Sequence, residues 1–508
     1  MMSPEAAILP ASAKRNLIIL SGITGSAVYE FTWSIAGVAL PHMQGSFSAT
    51  PDQIAWVMTA FIMGTVVTIA CTGWLSARFG RKRVYLTSIA GFGISLLMCG
   101  MATTLQEEVL WRLAQGIFGA ALLPLGQAIT VDAFPPERHG AATAIWTLGI
   151  IGAGIMGPVI GGAVVDFLSW RWVFYLNMPI AILAFVLALA VLPESEPDRD
   201  NRLDWFGFVT IIIAVTAFQA VFSRGERLDW FASTEIIVEC AICAVAFYLF
   251  VVHTMTTERP FFRPSLFRDR NFNLGVITAF FNGAIATLPL VILPLMLEQL
   301  VGYSAVDTGL LLFPRGVGLV IASVLLARFD HQLPEKHVTV VSVVLLVVSG
   351  YAMAGWTADV SAQEIIWVNL LQGAGSGAIF IALNTLTFST LEPRLKTEGL
   401  AVYYTVMFVG VTVGIAGIVA VLTRMTQVAH AVISAHVNPY SERFRLLAPP
   451  EIWDRAEIAG LAALEREVTR QAEMIAYSDS FLIATLISLA VLPLAFMFRI
   501  PNPETAVD

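Results

Sequence analysis

Apolar stretches of about 20 residues recur along the whole chain, most of them separated from the next by a short turn and the last two by a long loop. They lie near 16–40, 53–76, 84–104, 109–132, 140–166, 172–192, 204–222, 234–253, 272–297, 306–328, 338–356, 364–390, 398–422 and 480–498. A helix needs roughly 20 apolar residues to cross a bilayer. In lipid every backbone polar group must be satisfied inside the segment. The pattern therefore predicts an all-α polytopic membrane protein with fourteen spans. Composition agrees: 57% of the 508 residues are hydrophobic and 13% are charged. Soluble domains average about 45–50% and 25%.

The turns carry a sign asymmetry. Arg78, Arg81, Lys82, Arg83, Arg138, Arg199, Arg202, Arg259, Arg263, Arg268, Arg270, Arg328, Lys336, Arg394 and Lys396 fall on one side, together with Lys14 and Arg15 at the start and Arg499 at the end. The other side holds mainly Arg171, Arg224 and Arg227. Basic residues stay on the cytoplasmic side. Both termini are expected there. The net charge of -8 gives no nucleic-acid signature.

A weak internal repeat suggests two halves. "WRLAQGIFGAALLPLGQAI" (111–129) is echoed by "WVNLLQGAGSGAIFIALNT" (367–385), each with a Gln-Gly pair opening a Gly/Ala-rich helix. Matching span 4 to span 12 gives a six-helix bundle at 1–195, two inserted helices with linkers at 196–260, and a second six-helix bundle at 261–508. The second bundle contains an extracytoplasmic loop, 424–479, whose apolar spacing predicts an amphipathic helix over the outer mouth. Repeated halves about a central site are a transporter plan.

Polar groups inside spans are costly and mark pathways. Glu30 lies about 14 residues into the first span, or roughly 21 Å from its start. It is a candidate proton or substrate-coupling acid. Arg112 and Gln115 open span 4, with Arg112 a cation facing the bundle or snorkelling to the interface. Thr32, Trp33, Gln127, Asn282, Asn384 and Tyr404 are candidates for lining a cavity. Asn369 and Gln372 are further polar groups within spans. Each of these polar groups alone also fits a helix–helix hydrogen bond. The four cysteines fall in apolar segments and read as thiols within helices. No cofactor, metal site, catalytic triad or phosphate-binding glycine loop is expected, so an ion gradient is the natural energy source.

Several stretches bear a family likeness. "GWLSARFGRKR" (73–83) resembles the loop signature of the major facilitator superfamily through Gly73, Leu75, Arg78, Gly80, Arg81 and Lys82, with Ala77 where an Asp is usual. Arg112, Gln115 and Gly116 resemble its fourth-span pattern. "GIMGPVIGG" (154–162) resembles the fifth-span antiporter signature through Gly157, Pro158, Gly161 and Gly162. "SWRWVFYLNMP", "LLFPRGVG" with Arg315, and "AYSDSFLIATL" resemble the EmrB/QacA type of fourteen-span drug/proton antiporters. That group commonly carries an Asp nine residues before the Pro that ends span 1. Here Thr32 holds that place, and the acid sits at Glu30, roughly 200° around the helix.

The resemblance implies a major facilitator fold and a proton-driven exporter of amphipathic drugs or toxic compounds, working by alternating access. Its partners would be a small-molecule substrate, protons and the lipid bilayer, with a periplasmic adaptor and outer-membrane channel as further possibilities. Gly73, Arg78, Gly80, Arg81, Gly157, Pro158 and Arg315 would serve gating. Export of a metabolite, organic acid or siderophore by the same mechanism is one alternative. A non-transporting membrane sensor is another, from a different class.

Overall fold

The computed structural model describes residues 11–135, 139–194, 203–258, 260–329, 335–392, 395–437 and 458–498. Arg138, Arg199, Arg202, Arg259, Arg394, Arg499 and the middle of the long loop, 438–457, lie outside the described residues. Within them the chain is helical, with no strand. The helices are α1 Ala11–Phe47, α2 Pro51–Ile69, α3 Thr72–Phe79, α4 Arg81–Met101, α5 Leu105–Gly119, α6 Leu122–Asp132, α7 His139–Phe167, α8 Trp172–Tyr175 and α9 Met178–Val191. They continue with α10 Trp205–Arg224, α11 Thr234–Thr256, α12 Arg270–Leu295, α13 Ala305–Phe329, α14 Glu335–Ala354, α15 Ala362–Phe388, α16 Lys396–His436 and α17 Ile458–Met497.

Twelve helical segments among the described residues are long and apolar enough to cross a membrane, and the α2/α3 pair, bent by 53°, makes up to 13. The polar side chains of α1 distinguish it from the others. Ser21, Ser26, Thr32 and Ser34 are all buried, and Ser26 and Ser34 donate to the Leu122 and Gly154 carbonyls of neighbouring helices. With α1 counted, the helices account for every expected stretch.

Two sets of helices repeat one packing plan. In the first, α1 lies along α7, and α2 lies along α5. In the second, α12 lies along α16, and α13 along α15. Glycine permits the close approach each time. A Cβ on Gly116 of α5 would strike the Phe61 carbonyl of α2, and one on Gly373 of α15 would strike the Arg315 carbonyl of α13. These are the glycines of the two Gln-Gly pairs, so the sequence echo marks one structural position used twice.

The α10–α11 hairpin is pinned at both ends. Arg224 pairs with Glu235 at 2.6 Å and with Glu239, while His253 meets Asp204 at 2.8 Å. It packs on α16, where Gln219 donates to Thr412 at 3.1 Å.

The long loop departs from expectation. Spans 13 and 14 were expected to stop near 422 and start near 480. Instead α16 runs unbroken for 41 residues and α17 for 40. No Pro or Gly interrupts 418–436, so nothing in the chain stops the helix there. At 1.5 Å per residue each spans about 60 Å, twice a hydrocarbon core of about 30 Å. They therefore project together at the end opposite the chain termini, joined by His430 and Glu465 at 2.9 Å.

Candidate functional site

A cavity of about 340 Å³ lies between the two repeated sets of helices. One wall is Tyr29, Glu30, Trp33 and Ser34 of α1 with Trp146, Gly154 and Pro158 of α7. The other is Asn282 and Ala286 of α12, Arg315 of α13, Phe380 of α15, and Tyr404 and Phe408 of α16. Most of the lining is apolar or aromatic, with few polar groups to orient a guest, as in small-molecule sites generally.

Six of the residues expected from sequence converge here: Glu30, Trp33, Pro158, Asn282, Arg315 and Tyr404. The displaced acid therefore points to the centre. Glu30 reaches toward Gly154, whose missing side chain leaves room for its carboxyl. Among the described residues no hydrogen bond or ion pair holds that carboxyl. Thr32 faces elsewhere: it is fully buried, and its hydroxyl donates to its own helix at the Val28 carbonyl, 2.7 Å away. The two-residue offset thus exchanges a cavity-facing position for a packing one.

Arg315 is held rather than loose. Its Nε donates to Gln372 at 2.6 Å, and its second amino group donates to the Ala286 carbonyl. One guanidinium thereby ties α13 to α15 and α12. Its remaining donor capacity faces a cavity that also contains Glu30, yet the two form no ion pair.

Arg112 and Gln115 lie outside the cavity, inside the first set of helices. Arg112 is completely buried. It donates to the Val57 carbonyl at 3.1 Å and to Gln115 at 2.5 Å, and lies over the Phe61 ring at 4.5 Å. The two halves thus place one arginine on each paired glutamine by different routes. Arg112 sits three residues before Gln115 on the same helix. Asn369 occupies the matching place before Gln372, and the arginine comes from α13 instead. Gln127, on α6, does not line the cavity, and Asn384 sits beside the Tyr403 hydroxyl.

The glycine signatures shape the cavity's surroundings. Gly157 packs on Ser34 and Ile35 of α1, and Gly162 packs on the backbone at Ala305 and Val306 of α13. Asp166 accepts the Val306 N–H at 3.0 Å, across the two sets of helices. Toward the other end, Ile69 shares a buried cluster with Tyr403, and Ala70 packs on a cluster that includes Leu395 and Val402. Contacts thus join the two sets on both sides of the cavity.

The 73–83 turn lies at that same end. Gly80 ends α3 and opens α4 with φ +89°, a value that glycine adopts without strain. Arg81 pairs with Asp132 across the turn. Gly73 is exposed, and one Arg78 amino group is buried without a hydrogen-bond partner.

Sequence reasoning missed Ser34. Pro158 has no N–H, so the Gly154 carbonyl one turn earlier lacks its intrahelical donor. The Ser34 hydroxyl supplies the bond at 2.6 Å. The signal was readable in principle: a proline inside a span needs an outside donor, and span 1 is rich in hydroxyls.

Comparison with known proteins follows this geometry. The family model for the Major Facilitator Superfamily matches residues 23–415. The chain is 29% identical over 493 residues to the multidrug export protein EmrB of Escherichia coli strain K12, covering 95% of each chain. It is 29% identical over 475 residues to the fatty acid resistance protein FarB of Neisseria gonorrhoeae, covering 92% of this chain and 93% of that one. Among solved structures it resembles a D-xylose-proton symporter with TM-score 0.62 at 13% identity, covering 94% of this chain and 98% of that one. A bacterial homologue of the human lysosomal transporter Spinster, inward-facing and unoccupied, gives 0.59 at 16%, covering 99% and 100%.

Proposed function

Because the chain belongs to the Major Facilitator Superfamily, we propose that it is a secondary exporter of amphipathic drugs or toxic compounds, driven by protons through alternating access. One observation carries this reading. Glu30 lies unpaired in the wall of an aromatic cavity between two repeated sets of helices. An unpaired acid within the membrane is a functional group by default. A cationic or neutral amphipathic guest would compete with the proton for it, while Trp33, Trp146, Tyr404 and Phe408 offer ring faces. Competition for one site makes proton entry and substrate exit alternate.

In this reading the membrane is the cytoplasmic membrane, and the end bearing the termini faces the cytoplasm, as the basic turns require. The projecting ends of α16 and α17 would then stand on the far side, where an adaptor leading to an outer-membrane channel would meet them. The halves would rock about the glycine contacts of α7 and α13, with the Arg81–Asp132 pair latching the cytoplasmic side.

Arg315 favours the second reading, export of an organic acid or other anionic metabolite. Its guanidinium faces the same cavity. The two readings separate in everted membrane vesicles carrying a preformed pH gradient. Addition of ethidium, an amphipathic cation, should dissipate the gradient if the first holds. Dissipation by an amphipathic carboxylate alone would favour the second, and dissipation by neither would remove proton-coupled export.

A further inference from the structure

Glu108 lies on α5 one helical turn before Arg112, and both side chains are completely buried. Among the described residues no donor nitrogen or hydroxyl reaches either of its carboxyl oxygens. The titratable and charged groups that face it are the Cys99 thiol from α4, Arg112 of its own helix and Arg171 from the α7–α8 connection. Arg171 is engaged elsewhere, on the Ala102 carbonyl at 2.9 Å and over the Trp170 ring at 4.4 Å. Arg112 directs its donors to Val57 and Gln115 instead. A dry, unpaired carboxylate costs several kcal/mol, so this arrangement calls for a proton on Glu108.

Once that proton leaves, the nearest cation is Arg112, at the i, i+4 spacing that brings side chains together on a helix face. Its present partner is ready to be released. The amide nitrogen of Gln115 has no hydrogen-bond partner of its own, so its carbonyl oxygen is all that holds that side chain to Arg112. Movement of Arg112 would reach the cavity. The guanidinium rests on Phe61, whose ring contacts Tyr29 at 5.1 Å and stacks on Trp33 at 5.9 Å. Both of those rings line the cavity beside Glu30.

We propose that Glu108 is a proton-dependent positioning residue, and that Arg112 moves between Gln115 and Glu108 as the Glu108 carboxyl gains or loses its proton. The O–H bond of the acid breaks, and the proton passes to water at the N-terminus of α5, where the capping pair Thr104 and Glu107 is exposed. The carboxylate left behind takes the guanidinium. Phe61 follows, and the Tyr29–Trp33 wall shifts. The inference rests on the export reading for its purpose, since that reading makes the cavity the substrate site.

The test uses the purified full-length chain, with Glu108→Gln, Glu108→Asp and Glu30→Gln, titrated from acid to alkaline pH. Tryptophan emission is read without ligand, then ethidium affinity is read by quenching. Wild type should show a pH-dependent emission change that Glu108→Gln loses and Glu108→Asp keeps at a displaced midpoint. Ethidium affinity in Glu108→Gln should stay within about twofold of wild type at acid pH, while its change with pH shrinks at least threefold. A Glu108→Gln profile superimposable on wild type would overturn the proposal. So would failure of Glu108→Gln to fold, because the neutral isostere should fit the site as it stands. Absence of ethidium binding by wild type would count against the export reading, whereas the part of the ligand-free emission change that Glu30→Gln keeps and Glu108→Gln loses reports Glu108; its loss in Glu30→Gln as well would overturn the proposal.

Discussion

Ser34 of α1 donates a 2.6 Å hydrogen bond to the Gly154 carbonyl of α7, the acceptor that Pro158 leaves without a partner in its own helix. One side chain thus mends the break that the fifth-span signature creates, and it does so in the wall of the cavity. Removing the hydroxyl should cost about 0.5–1.5 kcal/mol, the usual worth of such a bond. Thermal unfolding in detergent measures it. In a Pro158→Ala background the intrahelical bond returns, and Ser34→Ala should then cost markedly less. Equal costs in both backgrounds would mean that the two residues are not coupled.

Arg315 binds two acceptors on two helices with a fixed fork. Lysine presents a point charge and cannot reproduce that fork. Arg315→Lys should lower the unfolding temperature although the charge is kept, and Gln372→Leu should do the same by stranding the guanidinium. Arg315→Gln should also raise the preference for cationic over anionic ligands, read as a ratio of dissociation constants by fluorescence quenching.

The α7–α13 contact leaves no room for a side chain at Gly162 or Gly309. Gly309→Val should therefore press the helices apart beside Pro158, costing about 1–3 kcal/mol of stability. Spin labels placed on α7 and α13 at the end away from the termini should report a longer mean distance than in the parent protein. An unchanged distance with unchanged stability would show that this contact does not hold the halves together.

The Arg81–Asp132 pair is exposed, with side chains 41% and 59% accessible. Surface pairs contribute little to stability, about 0–1 kcal/mol. Asp132→Asn should thus leave the unfolding temperature nearly unchanged. If the pair latches the cytoplasmic side, the same variant should alter the exchange rate, measured as ethidium efflux from loaded vesicles. An unaltered rate would leave the pair no gating role.

How much of this was legible in the sequence differs from residue to residue. The spans were legible because lipid forces apolar runs of known length. The echo of Gln115–Gly116 in Gln372–Gly373 was legible, and its two glycines meet Phe61 and Arg315 in the same way. The inward aim of Glu30 followed from the cost of the alternative. Spacing shows which residues share a helix face, but not which neighbour that face meets. Arg112 and Gln115 share a face, and it turns to α2 rather than to the cavity. Thr32 stands where the family resemblance led one to expect an acid, yet its face is packed. Glu108 gave no signal because its neighbour Glu107, exposed at the helix cap, makes the pair look like a solvated helix start.

The central claim is that Glu30 couples proton and substrate in the cavity. Ethidium exchange against a pH gradient in proteoliposomes, compared between the parent chain and Glu30→Gln, tests it most directly. The account predicts that the parent exchanges protons for ethidium, and that Glu30→Gln still binds ethidium but loses at least tenfold in proton-driven exchange. Undiminished proton-coupled efflux by Glu30→Gln would contradict it.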